Sequence, residues 1–176
     1  MTVNQTHRVE LHLHNEPLPL SAPFRISGYV FDSMPATVVT LNDGPHEGRG
    51  EGAGVYYLDD RPEGMLATLE SHRDAIESGL TRAQARELLP PGGARNALDC
   101  ALWELESQRA GIPVWKLAGL ETTRPLLTTF TVGADAPGVM ATAAQAFKQA
   151  RAIKLKLTGE TDLVIARTAT SSNYAP

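Results

Sequence analysis

The chain has 176 residues, 42% of them hydrophobic and 20% charged, which is enough apolar content for one ordinary core and argues against a disordered polypeptide. A formal net charge of −4 with no run of lysine or arginine excludes the electrostatic footprint of a nucleic-acid or anionic-membrane binder and leaves a small metabolite as the expected partner. MTVNQTHRVE, the first ten residues, lacks the basic and apolar regions of a secretory leader, and no apolar run reaches membrane-spanning length, so a soluble, cytoplasmic protein is expected.

Residues 8 to 13 alternate Arg8, Val9, Glu10, Leu11, His12, Leu13, the period of a strand with its apolar residues inward. His12 and His14 share the outer face. An open strand face offers them no third ligand, so they read as solvated histidines and not as a metal pair. Pro17, Pro19 and Pro23 then break the pattern, and a loop is expected from Pro17 to Ser27. It carries an apolar anchor, Phe24, and a cation, Arg25. That arginine can present a fork to a carboxylate or simply lie on the surface beside the phenylalanine, and these residues alone leave both readings open.

The β-branched run Thr37 to Leu41 predicts a second strand, with Asn42-Asp43-Gly44 as the hairpin turn and a return strand over about Gly48 to Val55. Gly48, Gly50, Gly52 and Gly54 fit neither a dinucleotide nor a phosphate-loop template, because no helix follows at the required spacing. They read as close-approach positions in a sheet. From Pro62 the period becomes helical, with Met65, Leu66, Leu69, Ile76 and Leu80 near one face and Gly79 at the end. Thr81 is an expected N-cap for a helix through Leu89. The strongest helix repeats Ala94, Ala97, Leu98, Ala101, Leu102 and Leu105 at three-and-four spacing and stops at Gly111 and Pro113. Cys100 lies within it and is expected as a small buried hydrophobe; as the single cysteine it permits no internal disulfide.

Strands followed by a run of helices give an α+β unit up to about residue 120. After Thr122-Thr123-Arg124-Pro125 the order becomes strand (Leu126 to Val132), helix (Pro137 to about Ala150, with Val139, Met140, Ala143 and Phe147 on one face) and strand (Ala152 to Thr158), the βαβ unit of a parallel sheet. In that last strand Ile153-Lys154-Leu155-Lys156-Leu157 alternates strictly, so Lys154 and Lys156 project from one face and the apolar residues from the other. A solvated lysine face is the simpler reading of the pentapeptide alone. The other is a pair of neighbouring amines, each disfavouring the charge on its partner, which equips a lysine to act as a base. A further helix is expected to begin at Asp162.

Several of these stretches occur together in the order found in the enolase superfamily: Pro17-Leu18 with Pro23-Phe24-Arg25-Ile26-Ser27, the hairpin into Gly50-Glu51-Gly52, the helix ARNALDCALWELESQRAGIPVWKLAGL (94 to 120), Thr131-Val132-Gly133, and the lysine pair. Over residues 8 to 167 the chain resembles the muconate-lactonising subgroup, and most of all its dipeptide (alanyl-glutamate) epimerases. The resemblance implies a capping domain at 1–122 with an antiparallel three-stranded sheet plus helices, the first βαβ of an incomplete (β/α) barrel at 123–167, and a disordered tail outside the family at 168–176. It implies an isomerase in which Lys156 is the acid/base, Lys154 helps to hold the substrate carboxylate and lowers the pKa of Lys156, Arg25 meets the distal carboxylate of an acidic dipeptide, and Thr131 lines the pocket. Magnesium serves the intact family by stabilising the enediolate. The family's metal carboxylates lie on later barrel strands, and Glu160 and Asp162 are the acids that follow Lys156 here. The expectation is therefore a truncated chain with no metal ligands, little magnesium binding and no activity alone. The alternatives are a non-catalytic remnant completed by a partner or by self-association through the unfinished barrel, and a fragment of a muconate cycloisomerase-like or o-succinylbenzoate synthase-like enzyme.

Overall fold

The computed structural model describes residues 8–26 and 28–157, which cluster into two units, 8–18 with 34–123 and 19–33 with 124–157. The helix expected from Asp162 and the tail 168–176 lie outside the described residues. Three antiparallel strands run in the order β1 (Glu10–Ile26), β2 (Tyr29–Asp43) and β3 (His46–Gly52). The loop expected from Pro17 is therefore corrected to strand as far as Ile26. Pro17, Pro19 and Pro23 are two and four residues apart, so they fall on one alternate set of positions. On an edge strand such as β1 one alternate set of N–H groups has no ladder partner, and proline there removes no sheet hydrogen bond. The turn also shifts. Asn42 and Asp43 are the last paired residues of β2, Asp43 opposite His46, and the two-residue turn is Gly44-Pro45 with Gly44 at φ 59°.

In the first unit the core lies between this sheet and helices α1 (Pro62–Ser71), α2 (Arg73–Glu77), α3 (Arg82–Leu88) and α4 (Gly93–Ala110), with the short α5 (Val114–Leu117) after it. Helix α4 buries Ala94, Ala97, Leu98, Ala101, Leu102 and Leu105, as its periodicity predicts, and ends on Gly111 in the left-handed region. Its backbone lies directly on β3. A Cβ at Gly52 would collide with Gly93 O, one at Gly50 with Ala97 O, and one at Gly48 with Ala101 O. Two residues along a strand advance roughly as far as four along a helix, so a glycine at every second strand position meets the helix at every fourth. The ends of the contact are tied by polar groups: Asn96 Nδ2 donates to Glu51 O (3.0 Å) and Arg49 N–H donates to Glu104 Oε2 (2.6 Å). Asp60 Oδ2 accepts from Gly93 N–H at 2.7 Å, satisfying an orphan donor at the start of α4.

Two helical expectations change. The helix foreseen from Pro62 to Gly79 breaks at His72, where Nδ1 lies 2.9 Å from Thr68 O, the carbonyl an unbroken helix would offer to the backbone N–H of His72. That N–H bonds Leu69 O at 3.1 Å instead. Cys100 is exposed, not buried, because it falls off the stripe that begins at Ala94. Thr81 caps α3 as expected, in a reciprocal pair with Gln84.

The second unit carries a parallel pair, β4 (Phe130–Val132) and β5 (Ile153–Leu155), joined through α6 (Pro137–Gln145). Both strands and the helix are shorter than expected: the ladder starts at Phe130 opposite Ile153, and Leu126 is 90% exposed. Val132, Met140 and Ala144 form the buried centre, with Ala143, Phe147, Ile153 and Leu155 packed against it. Val139 points away from that cluster and is exposed.

Candidate active site

The apolar residues of β5 decide which way its lysines face. Ile153 and Leu155 pack toward α6, so Lys154 and Lys156, on the alternate positions, project from the opposite side. Neighbouring residues of a parallel ladder point the same way. Thr131 is the register partner of Lys154, and the next ladder bond, from Lys156 N–H to Val132 O at 3.0 Å, brings Lys156 level with Gly133. Thr131, Lys154 and Lys156 therefore share one face of the β4–β5 sheet. Lys154 is exposed and Lys156 partly buried.

Arg25, at the end of β1, belongs to the same unit. Its carbonyl accepts from Ala134 N–H at 2.9 Å, and its backbone lies across Gly133, where a Cβ would stand 3.2 Å from Arg25 N. A Cβ on Gly133 would point to the face of Thr131 and the lysines, so the strand end bearing Arg25 is packed onto that face. The guanidinium itself turns along the chain: Nε is 3.6 Å from Asp135 Oδ2, with the two side chains 50% and 40% exposed. A cavity of about 270 Å³ opens there, lined by Arg25 and Asp135 together with apolar groups that include Pro23, Val139 and Met140. Thr131, Lys154 and Lys156 do not line it. The structure thus gathers the four expected residues around the end of β4, with the arginine beside a cavity and the lysines on the sheet face.

Asp135 is the residue that sequence reasoning missed. Its signal was its position, two residues after the Thr131-Val132-Gly133 motif and two residues before Pro137 at the start of α6. Its Oδ1 accepts from Ala136 N–H at 2.8 Å. Among the described residues no three His, Cys, Asp or Glu side chains converge as a cation cage, and Asp135 is already engaged by Arg25 and Ala136. The described residues do not fit a magnesium site.

Residues 8–119 match the family model of the mandelate racemase/muconate lactonizing enzyme, N-terminal domain. The chain belongs to this family. Within the enolase superfamily the relatives it matches include dipeptide epimerases and an N-acetyl-D-glutamate racemase. The L-Ala-D/L-Glu epimerase of Escherichia coli is 33% identical over 152 residues, which cover 86% of this chain and 47% of that enzyme. An enolase family member from Agrobacterium tumefaciens with homology to dipeptide epimerases, solved with sodium and L-Ala-L-Glu, superposes with a TM-score of 0.88 at 28% identity, covering 94% of this chain and 51% of that one. The dipeptide epimerase of Enterococcus faecalis, complexed with Mg and L-Leu-L-Tyr, has the same fold at a TM-score of 0.82 and 24% identity, over 94% of this chain and 50% of its own. This family member spans about half the length of the relatives it matches.

Proposed function

We propose that the chain is the N-terminal part of a dipeptide epimerase, a capping domain at 1–122 and the start of a (β/α) barrel at 123–167, acting by proton transfer at a carbon next to a carboxylate. The observation that carries this is the common face of Thr131, Lys154 and Lys156 with the Arg25 segment packed on it. Lys156 is the base that takes the α-proton. Removing that proton places further negative charge on the carboxylate, and the ammonium of Lys154 is the positive group beside it. Arg25 receives the distal carboxylate of an acidic dipeptide, in keeping with the L-Ala-L-Glu bound by the Agrobacterium protein. Thr131 lines the same face.

Inversion at the α-carbon needs a proton donor on its other side, and no lysine follows Lys156 in the sequence. The proposal is accordingly that the 176-residue chain alone does not epimerise, and that magnesium, present in the Enterococcus enzyme, belongs to a whole enzyme and is held by none of residues 8–157. Two measurements on the purified chain test this. An NMR titration with L-Ala-L-Glu is expected to move the amide signals of Thr131, Lys154 and Lys156, and shifts confined to the first unit would refute the assignment. Incubation with the dipeptide and magnesium chloride in heavy water is expected to leave the α-proton unexchanged, and clear deuterium incorporation would refute the proposed inactivity.

A second reading, a non-catalytic remnant that associates with itself, is favoured by one observation: Leu126, Leu127 and Phe130 lead into the two-stranded sheet with 90%, 58% and 42% exposure. A chain eluting as a monomer on size exclusion would remove it.

A further inference from the structure

Arg25 is the residue assigned above to an incoming carboxylate, and a carboxylate already stands beside it. Asp135 Oδ2 lies 3.6 Å from Arg25 Nε, inside ion-pairing range and beyond a direct hydrogen bond. Both side chains are about half-exposed, at 50% and 40%, so water competes for each of them. A pair of this kind is weak and can be exchanged. Its geometry is nevertheless held from both sides. The backbone of Arg25 is fixed on Gly133 and Ala134, and the backbone of Asp135 follows directly, with Oδ1 anchored on Ala136 N–H at 2.8 Å. The guanidinium is therefore kept next to one particular anion when no ligand is present. The walls of the adjoining cavity are otherwise apolar apart from backbone, with Ala22, Pro23, Val139 and Met140 among them, so the Arg25–Asp135 pair is its charged feature.

We propose that Asp135 is a specificity-determining residue. It occupies Arg25 as an internal carboxylate that a substrate carboxylate must displace, and so it sets how strongly the site prefers acidic over neutral dipeptides. This rests on the reading of Arg25 as the distal-carboxylate receptor. Exchanging one carboxylate for another keeps the guanidinium paired in both states. A neutral side chain leaves the ion pair intact, so the cost of displacing Asp135 falls on the acidic dipeptide alone and holds its preference below what Arg25 would give unpaired. The aspartate also moderates affinity: its charge repels an incoming carboxylate and competes with it for the same fork.

The substitution that isolates this role is Asp135→Asn. The amide keeps an oxygen that can accept from Ala136 N–H, so the start of α6 retains its local hydrogen bond, and only the negative charge is lost. The test compares L-Ala-L-Glu with L-Ala-L-Gln, which differ at the distal group alone, by following the Arg25 Nε–H signal of the 176-residue chain in an NMR titration. Without the competing charge, L-Ala-L-Glu is expected to bind about 1.4- to fivefold more tightly, the span measured for exposed ion pairs, while L-Ala-L-Gln stays within error. The Glu-to-Gln preference therefore widens by the same factor. An unchanged or narrowed preference would overturn the proposal, and so would equal tightening of both dipeptides, which would mean that Asp135 acts only on loop position. Asp135→Glu restores the charge and is expected to return the preference toward that of the original chain. Because this readout follows binding at Arg25 and involves no proton transfer at Lys156, it separates from the epimerase reading. Exclusive binding of L-Ala-L-Glu at Arg25 with no response at Lys154 or Lys156 would sink that reading and leave the exchange role of Asp135 standing. A silent Arg25 signal with both dipeptides would sink the proposal whatever Lys154 and Lys156 report.

Discussion

Replacing Gly50 by alanine adds one methyl group at the closest contact between strand and helix in the first unit. The new Cβ would stand 2.5 Å from Ala101 N and 2.8 Å from Cys100 Cβ, and nearer still to Ala97 O. Two of those three atoms are backbone, so no rotamer change relieves the clash, and α4 or β3 must move by about an ångström to reach ordinary contact distance. Overpacking of this sort costs about 1–3 kcal/mol. The movement also strains the bonds from Asn96 to Glu51 O and from Arg49 N–H to Glu104, each worth about 1 kcal/mol. The expected loss is about 2–4 kcal/mol, a large part of the 5–15 kcal/mol that typical domains possess, roughly. Urea unfolding followed by circular dichroism at 222 nm measures it. The matched control is Gly64→Ala in α1, where a Cβ meets nothing within 4 Å. That change is expected to stabilise by about 0.5–1 kcal/mol through helix propensity. A Gly50→Ala loss below about 1 kcal/mol, or equal effects at the two sites, would refute direct seating of the α4 backbone on β3.

Two further outcomes follow from the charged groups of the first unit. Arg73 forms a fork on Glu70, with Nε to Oε1 and Nη2 to Oε2 both at 2.7 Å, and Arg8 and Arg73 each hydrogen-bond Glu77 at 3.0 Å. The Arg73 bond holds Glu70 below its ordinary value of 4.5, and the Arg8 bond, then that of Arg73, does the same for Glu77. A depressed carboxylate stabilises the fold fully above its unfolded value and loses that contribution as pH falls through the folded one. The melting temperature is therefore expected to drop below about pH 4.5, and Arg73→Met is expected to flatten that acid limb; a variant with an equally steep limb would contradict the assignment. At Cys100, partial desolvation of the exposed side chain first, and then the Asp99 and Glu51 carboxylates, raise the thiol above its ordinary 9.0. Alkylation by iodoacetamide is accordingly expected to be slow at pH 8 and to keep accelerating past pH 9, faster at a given pH in Glu51→Gln; a rate already on its plateau at pH 8.5 would count against this.

What could be read from the chain before folding was whatever depends on neighbours in sequence. The α4 stripe, the Thr81 cap and the strand-helix-strand order all rest on spacings of a few residues, and all appear in the structure. The glycines of β3 were legible as places of close approach, but their partners at Gly93, Ala97 and Ala101 were not, because the alternating spacing names no element to lie against it. Errors arose where a distant neighbour decides the outcome. Prolines disqualify a central strand and are harmless on an edge, and only the sheet order of β1 distinguishes the two. Likewise, the ring of His72 competes for a carbonyl that helix periodicity assigns to the backbone.

The lysine face marks the same boundary at the site. Alternation in Ile153-Lys154-Leu155-Lys156 guarantees that the two amines emerge together, but not from which side. That side is chosen by Met140 and Ala144 of α6, which bury the apolar set and so turn the amines away from the helix. Once that choice is made, parallel register carries Thr131 to Lys154 without further information. Arg25 is of another kind. It lies more than a hundred residues before Gly133, and no periodicity links them; what admits it is the missing side chain at Gly133, where a Cβ would stand 3.2 Å from Arg25 N. Family resemblance could name Arg25 because the stretch Pro23-Phe24-Arg25-Ile26-Ser27 carries it in the sequence. It could not name Asp135, whose effect on Arg25 appears only after the two backbones have met, and a residue placed by such a contact is where substrate preference can differ between chains that share every motif.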